Sequence, residues 1–129
     1  MALDYTASGE IGAAKHIFYG AHNAPEEEVG MLLYWLGDSL VGRRATDLLV
    51  AADCVKAACG AAPELFADGA AVVPAAHAYA ADPAAFSGMV ASNRPAAWAD
   101  LLRGRAADLR FFNCVNGALR DYDWPDLLP

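Results

Sequence analysis

The sequence predicts an α/β fold: a three-layer αβα arrangement with about three mostly parallel strands and about four to five helices. Three observations predict it. Helical and strand-like periodicities alternate along the chain. A sharp turn of small residues joins a strand directly to a helix. The order helix, strand, turn, helix, strand is that of a parallel sheet with crossover helices.

The elements follow in order. ALDYT, Ala2 to Thr6, alternates as a short strand, and ASGEIG behind it reads as a loop. HNAPEEEVGMLLYWLG is a marked helix: Pro25 suits its first position, Glu26, Glu27 and Glu28 complement its dipole, and Gly37 fits just past its end. Val29, Leu32, Leu33 and Leu36 recur at i, i+3, i+4 and i+7 as one apolar stripe. GRRATDLLVAADCVKAACG, from Gly42 to Gly60, is a second helix with Leu48, Leu49, Ala52, Val55 and Cys59 on one face. Cys54 and Cys59 are expected as small core residues. PELFADG is a short strand, and AAVVPAAHAYAADP an alanine-rich helix ended by Asp82-Pro83. Pro74 is tolerable only in a first turn, so that helix starts at about Val72 or Val73. AFSGMVAS reads as a buried strand, RPAAWADLLRG as a short helix, LRFFNCVNGALR as another, and DYDWPDLLP as an aromatic, turn-forming tail. There is no internal repeat or linker, and 129 residues make one domain, 1–129.

Composition narrows the function. Apolar residues make up 57% of the chain and charged ones 19%, which excludes intrinsic disorder. With 9 Lys and Arg against 16 Asp and Glu, the net charge of −7 argues against nucleic acid and anionic membranes as partners. The odd count of 3 cysteines without CxxC spacing predicts neither a disulfide framework nor a zinc site. The N-terminus lacks the basic and apolar regions of a secretion signal, and no apolar run reaches membrane-spanning length. A cytoplasmic protein is expected.

Chemistry-bearing residues are few. Gly37-Asp38-Ser39-Leu40 spells the signature of a large esterase family, which would make Ser39 a nucleophile. In those enzymes the serine follows a buried strand and is served by a downstream Asp-x-x-His. Here it follows a capped helix, no Asp-x-x-His exists, and Asp38 and Ser39 fit a turn between two helices. A second candidate is ELFAD, GAA, VVPAAHAYAA, the strand–turn–helix layout of a nucleophile elbow, with Gly69 at the nucleophile position of Ala67-Asp68-Gly69-Ala70-Ala71.

Beyond the elbow, DYTASGEIG, FYGAHNAPEEE, LGDSLVGRRATDLLVAADCV, LFADGAAVVPAAHAYAADP and NGALRDYDWPDLLP follow one another in an order that resembles the middle of an α/β-hydrolase. The resemblance is to the acetylxylan-esterase-like group, related to the dienelactone hydrolases and prolyl oligopeptidases. It covers nearly the whole chain, with GRRATDLL and GALRDYDWPDL its most specific parts. It implies an α/β-hydrolase-like fold and, in the family, a Gly-x-Ser-x-Gly-Gly elbow.

This sequence departs from that pattern. The elbow holds Asp68, Gly69 and Ala70, and no Ser, Thr or Cys lies between Gly60 and Phe86, so no acyl-enzyme can form there. Asp68 as a carboxylate nucleophile would place Phe66 where a small residue is needed. The family's acid and histidine lie beyond the tail motif, where this sequence stops, so a truncated relative is expected. His77 reads as a packed helix residue. His16 and His22 read as loop polar groups, although the family's cleft borders that loop. Trp35, Trp98, Trp124, Phe111, Phe112 and Tyr122 are expected to fill core or interface, and Arg43, Arg44, Arg103, Arg105 and Arg110 to be solvated or near helix C-termini. Asp121, Asp123 and Asp126 lack the glycine and terminal glutamate of a calcium loop. No metal or cofactor is expected.

The expectation is therefore an α/β-hydrolase-like module without hydrolytic activity, acting as an oligomeric structural or binding unit. The alternative is a carboxylic ester hydrolase using Ser39 or Ser87. A sheet with open edges and a half-covered core predicts a homo-oligomer joined through those edges or through an apolar face.

Overall fold

The structure of the chain, a computed structural model, describes residues 3–8, 25–104 and 111–129. The first helix, α1, runs Pro25–Trp35 with Glu26, Glu27 and Glu28 in its first turn. Gly37, at φ +75, lets the chain turn back so that the Asp38 amide donates to the Leu33 carbonyl at 2.9 Å. Val29 and Leu33 pack on Ala7, Leu40 and Phe112, while Leu36 is 79% exposed. The expected four-residue stripe is thus shorter than its periodicity: past Leu33 the helix is already unwinding into the turn.

Helix α2, Leu40–Cys59, starts two residues before the expected Gly42 because Ser39 caps it. The extended Ser39 accepts the Gly42 amide on Oγ at 3.0 Å. Gly60, at φ +76, closes the helix, its amide donating to the Lys56 carbonyl. Val41, Ala45 and Ala52 are buried with Leu48 and Leu49 against them. Cys54 and Cys59 are exposed, contrary to expectation. From Lys56 onward the helix is exposed throughout, so its last turn overhangs the core.

Strand β1, Glu64–Asp68, leads through a tight turn at Gly69–Ala71 into α3, Val72–Ala81, and the chain returns as β2, Gly88–Ser92. The strands pair in parallel, Leu65 opposite Met89, Phe66 opposite Val90 and Ala67 opposite Ala91. A parallel neighbour requires such a crossover, and a helix of alanines supplies the thinnest one. Val72, Val73, Pro74, Ala75, Ala76 and Ala78 of α3 are all buried. The small side chains let α2 and α3 pack closely, and Pro74 falls in the first turn, where its missing N–H has no intrahelical acceptor to lose.

The sheet has two strands among the described residues, not the expected three. Leu3 to Thr6 is irregular and ends in a turn, the Ser8 amide donating to the Tyr5 carbonyl at 2.9 Å with Ala7 at φ +62. Side chains of α2 hold this segment where a strand ladder was expected. Leu65 and Ala67 are buried whereas Glu64, Phe66 and Asp68 are exposed, so described helices cover one sheet face only. The expected buried strand at AFSGMVAS is half-buried, with Val90 exposed.

Helix α4, Trp98–Leu102, follows. The expected helix over LRFFNCVNGALR is instead two three-residue turns, Phe111–Asn113 and Ala118–Arg120, interrupted by Gly117 at φ +77. Leu109 and Arg110 lie outside the described residues. The Asp123 carboxylate caps α4 from the tail, accepting the Trp98 and Ala99 amides at 2.9 Å each. Asp123 and Asp126 also form a capping box over the turn Trp124–Leu127. Trp98 and Trp124 are buried, each indole N–H on a backbone carbonyl, those of Asn113 and Ala96. Trp35, expected in core or interface, is 71% exposed.

Candidate functional site

The C-terminal ends of parallel strands are where α/β proteins gather ligands and chemistry, because the crossover loops open there. In this chain those ends are Asp68 and Ser92. Asp68 closes β1 in an extended conformation, and Gly69 then adopts φ +58, the bend an elbow requires. A Cβ built on Gly69 would meet nothing within 4 Å. The position therefore has room for a side chain and carries none.

Asp68 is the ionisable residue that leads into the bend. Its Oδ1 accepts the Ser92 hydroxyl and, at 2.7 Å, the Asn93 amide. The Ser92 bond, then the Asn93 bond, hold its carboxyl below the usual carboxylate range. Donors that stabilise the anion also make it a poorer nucleophile, and Phe66 two residues before it is 68% exposed, not folded into a pocket. Ala70 is exposed and Ala71 opens the turn into α3. Asp68, Gly69 and Ala70 thus form a sharp strand-to-helix bend, with no hydroxyl or thiol of their own.

The other candidates are dispersed. Ser39 is the cap of α2, with its hydroxyl oxygen occupied by the Gly42 amide. Ser87 is exposed just before β2, and its amide donates to the Pro63 carbonyl at 2.8 Å. His16 and His22 lie outside the described residues, as do Arg105 and Arg110. His77 sits within α3, turned toward the tail. Its Nδ1 bonds the Val73 carbonyl at 2.8 Å and its Nε2 meets the Tyr122 hydroxyl at 2.9 Å. A carbonyl only accepts, so the neutral ring carries its proton on Nδ1 and takes the Tyr122 proton on Nε2. Burial lowers the His77 pKa, the Val73 bond partly opposing it, and Trp98 packs against the ring at 5.9 Å. Both nitrogens are engaged away from the bend. No group of three or more metal-ligating side chains occurs among the described residues, and Asp123 and Asp126 are occupied in capping.

One construction escaped the sequence. Arg44, expected to be solvated, is 2% exposed. Its Nε donates to the Thr6 carbonyl at 3.0 Å, its Nη2 to Glu26, and its guanidinium lies 4.5 Å from the Tyr5 ring centre. One turn on, Asp47 accepts the Thr6 amide at 2.8 Å and the Thr6 hydroxyl. Arg44 interrupts the stripe Val41, Ala45, Leu48, Ala52 on the buried face of α2, and that interruption was the available signal. Arg43, by contrast, is exposed and pairs with Asp38, as its surface position allows.

Two hollows accompany these features. A groove of about 580 Å³ runs along β1, and a smaller cavity of about 350 Å³ lies between Ser39, Leu40, Phe112 and Cys114. Burial and then Asp123 push the Cys114 thiol up, so it is a thiol rather than a thiolate.

No protein-family model, no curated protein and no solved structure matches the chain. No helix among the described residues is long and apolar enough to cross a membrane.

Proposed function

We propose that the chain is an α/β-hydrolase-like module of the acetylxylan-esterase type that does not hydrolyse esters at its elbow. It acts instead as a structural or binding unit that assembles with copies of itself. The observation that carries this is the bend itself: elbow geometry at Gly69, space for a side chain there, and only Asp68, Gly69, Ala70 and Ala71 to occupy it. Acyl transfer needs a nucleophile with a base in contact, and His77 is committed to Val73 and Tyr122.

Assembly is argued from the uncovered sheet. Phe66 and Val90 stand side by side on its open face, and both outer edges lack a strand among the described residues. At the β2 edge an antiparallel pairing with a second copy about Val90 brings only Gly88, Val90 and Ser92 together on that face, with no charge opposed. Cys54 and Cys59, exposed on α2 as free thiols, fit a reducing compartment such as the cytoplasm.

The test combines chemistry and hydrodynamics. Pure protein treated with a fluorophosphonate probe should form no adduct, at Ser39, Ser87 or elsewhere, and should not turn over p-nitrophenyl acetate in an active-site-titratable way. Light scattering at tens of micromolar should give a dimer or larger species, which Val90→Lys dissociates. A stoichiometric serine adduct overturns the first half, and a monodisperse monomer the second.

A further inference from the structure

We propose that the free edge of β1 is a docking groove for an extended polypeptide in trans, with basic residues four apart flanking three apolar ones. All five residues of β1 line the 580 Å³ groove and none of β2 does, so it follows the edge facing away from β2. Its other walls are largely apolar, from Leu48, Ala52 and Val55 of α2, with Leu3 and Tyr5 also in the lining. Among the described residues no backbone group of β1 bonds to anything on that side. An open edge beside a hollow that can take alternate side chains is the requirement for adding a strand.

Charge identifies the strand. Along its open face β1 presents Glu64, Phe66 and Asp68, and among the described residues no Lys, Arg or His lines the groove. A strand laid against it sets residues p, p+2 and p+4 beside those three side chains, so it fits best as basic, apolar, basic. That pattern reads the same in both directions, so it serves parallel or antiparallel pairing. Residues p+1 and p+3 turn toward Leu65 and Ala67 and enter the apolar hollow.

A second copy is a poor occupant. Pairing β1 with β1 in antiparallel register about Phe66 places Glu64 against Asp68, and parallel register places each carboxylate against its own copy. Strand β2 would offer only Gly88 and Ser92 to the two carboxylates. No two of the 9 Lys and Arg residues stand four apart in the sequence, so no segment of this chain carries the matching pattern. The groove therefore fits a polypeptide that carries this pattern better than it fits any of these 129 residues. This inference stands apart from the self-association through β2, which uses the other edge.

Calorimetric titration of the full chain with capped nine-residue peptides containing KVVVK, VKVKV or EVVVE tests it. VKVKV has the composition and charge of KVVVK with the alternation shifted by one residue, which sends its lysines into the apolar hollow. KVVVK should bind about tenfold tighter than either control, a difference of about 1.4 kcal/mol, and weaken as salt rises. Proline at its central position should reduce the binding. The variant Glu64→Lys/Asp68→Lys, with its fold checked by circular dichroism, should reverse the preference toward EVVVE. Equal binding of KVVVK and VKVKV would mean general attraction to an acidic protein and overturns the proposal. So does absence of binding, or a dimer closed through β1 that excludes KVVVK.

Discussion

Arg44 and Asp68 are each the centre of a polar cluster, and they differ in almost every physical respect. Arg44 is buried, donates to a backbone carbonyl and a carboxylate, and lies over an aromatic ring. Asp68 is exposed at the mouth of the sheet, and its partners Ser92 and Asn93 are small neighbours on the next strand and loop. The first cluster joins distant parts of the chain: Thr6, Glu26 and α2. The second joins adjacent strand ends. The difference teaches that in this molecule buried charge secures the N-terminal segment, while the charge at the strand ends is exposed and held only by its immediate neighbours.

The largest effect should come from breaking the buried cluster. Arg44→Ala leaves the Thr6 carbonyl without its donor, Glu26 without its partner and the Tyr5 ring without its cover. A buried carbonyl left unpaired costs about 1–3 kcal/mol and the lost packing adds to it, while Glu26, with its side chain 31% exposed, is partly compensated by water; together this is a large share of the stability of a small domain. Arg44→Lys should recover little of it, because one ammonium cannot serve two directions and stack on the ring. Urea denaturation measures both. An Arg44→Ala midpoint equal to that of Asp68→Asn would abolish the contrast between the clusters.

The sequence made that contrast only half legible. The βαβ unit was readable because its signals are local: alternation in ELFAD, Pro74 and the alanines of α3, Gly60 and Asp82-Pro83 as stops. Ser39 in a turn between two helices was readable for the same reason, although its role as the cap of α2 was not. Arg44 reads as a solvated charge because its partners lie 18 and 38 positions away; its break in the apolar stripe marks burial but encodes neither partner. The third strand at ALDYT was misjudged on the same ground, since Asp47, 41 positions on, holds Thr6 in a turn. The strand–turn–helix order from Glu64 to Ala81 was legible, but the engagement of Asp68 by Ser92 and Asn93 depends on the strand pairing.

A smaller effect separates shape from chemistry at the bend. Gly69→Ser restores a hydroxyl where there is space for it, at a cost of about 1 kcal/mol for a non-glycine residue in the left-handed region. The variant should fold, lose that much in urea, and still give no titratable turnover of p-nitrophenyl acetate, because among the described residues no histidine lies at the bend: His77 is held by Val73 and Tyr122. Measured turnover would mean that a histidine reaches the bend. Ser39→Ala should cost about 1 kcal/mol through loss of the cap and leave any residual ester cleavage unchanged. Loss of such cleavage would return the serine to a catalytic role.

The smallest effect is a slope against pH. His77 titrates below its ordinary 6.5 in the folded chain because burial disfavours the cation. The unfolded chain therefore binds the extra proton first as pH falls. Stability from this group is complete above about pH 6.5 and erodes on acidification toward the lower folded pKa. Melting temperature should accordingly fall from pH 7.5 to 5.5 in the parent protein (about one unit either side of the ordinary 6.5) and fall less in His77→Gln. Tyr122→Phe removes the hydroxyl that Nε2 accepts from but keeps most of the burial, so its slope should stay close to the parent's. If the two variants flatten the profile equally, the hydrogen bond rather than desolvation sets the His77 pKa, and the ring's commitment to the tail, away from the bend, is stronger than burial alone provides.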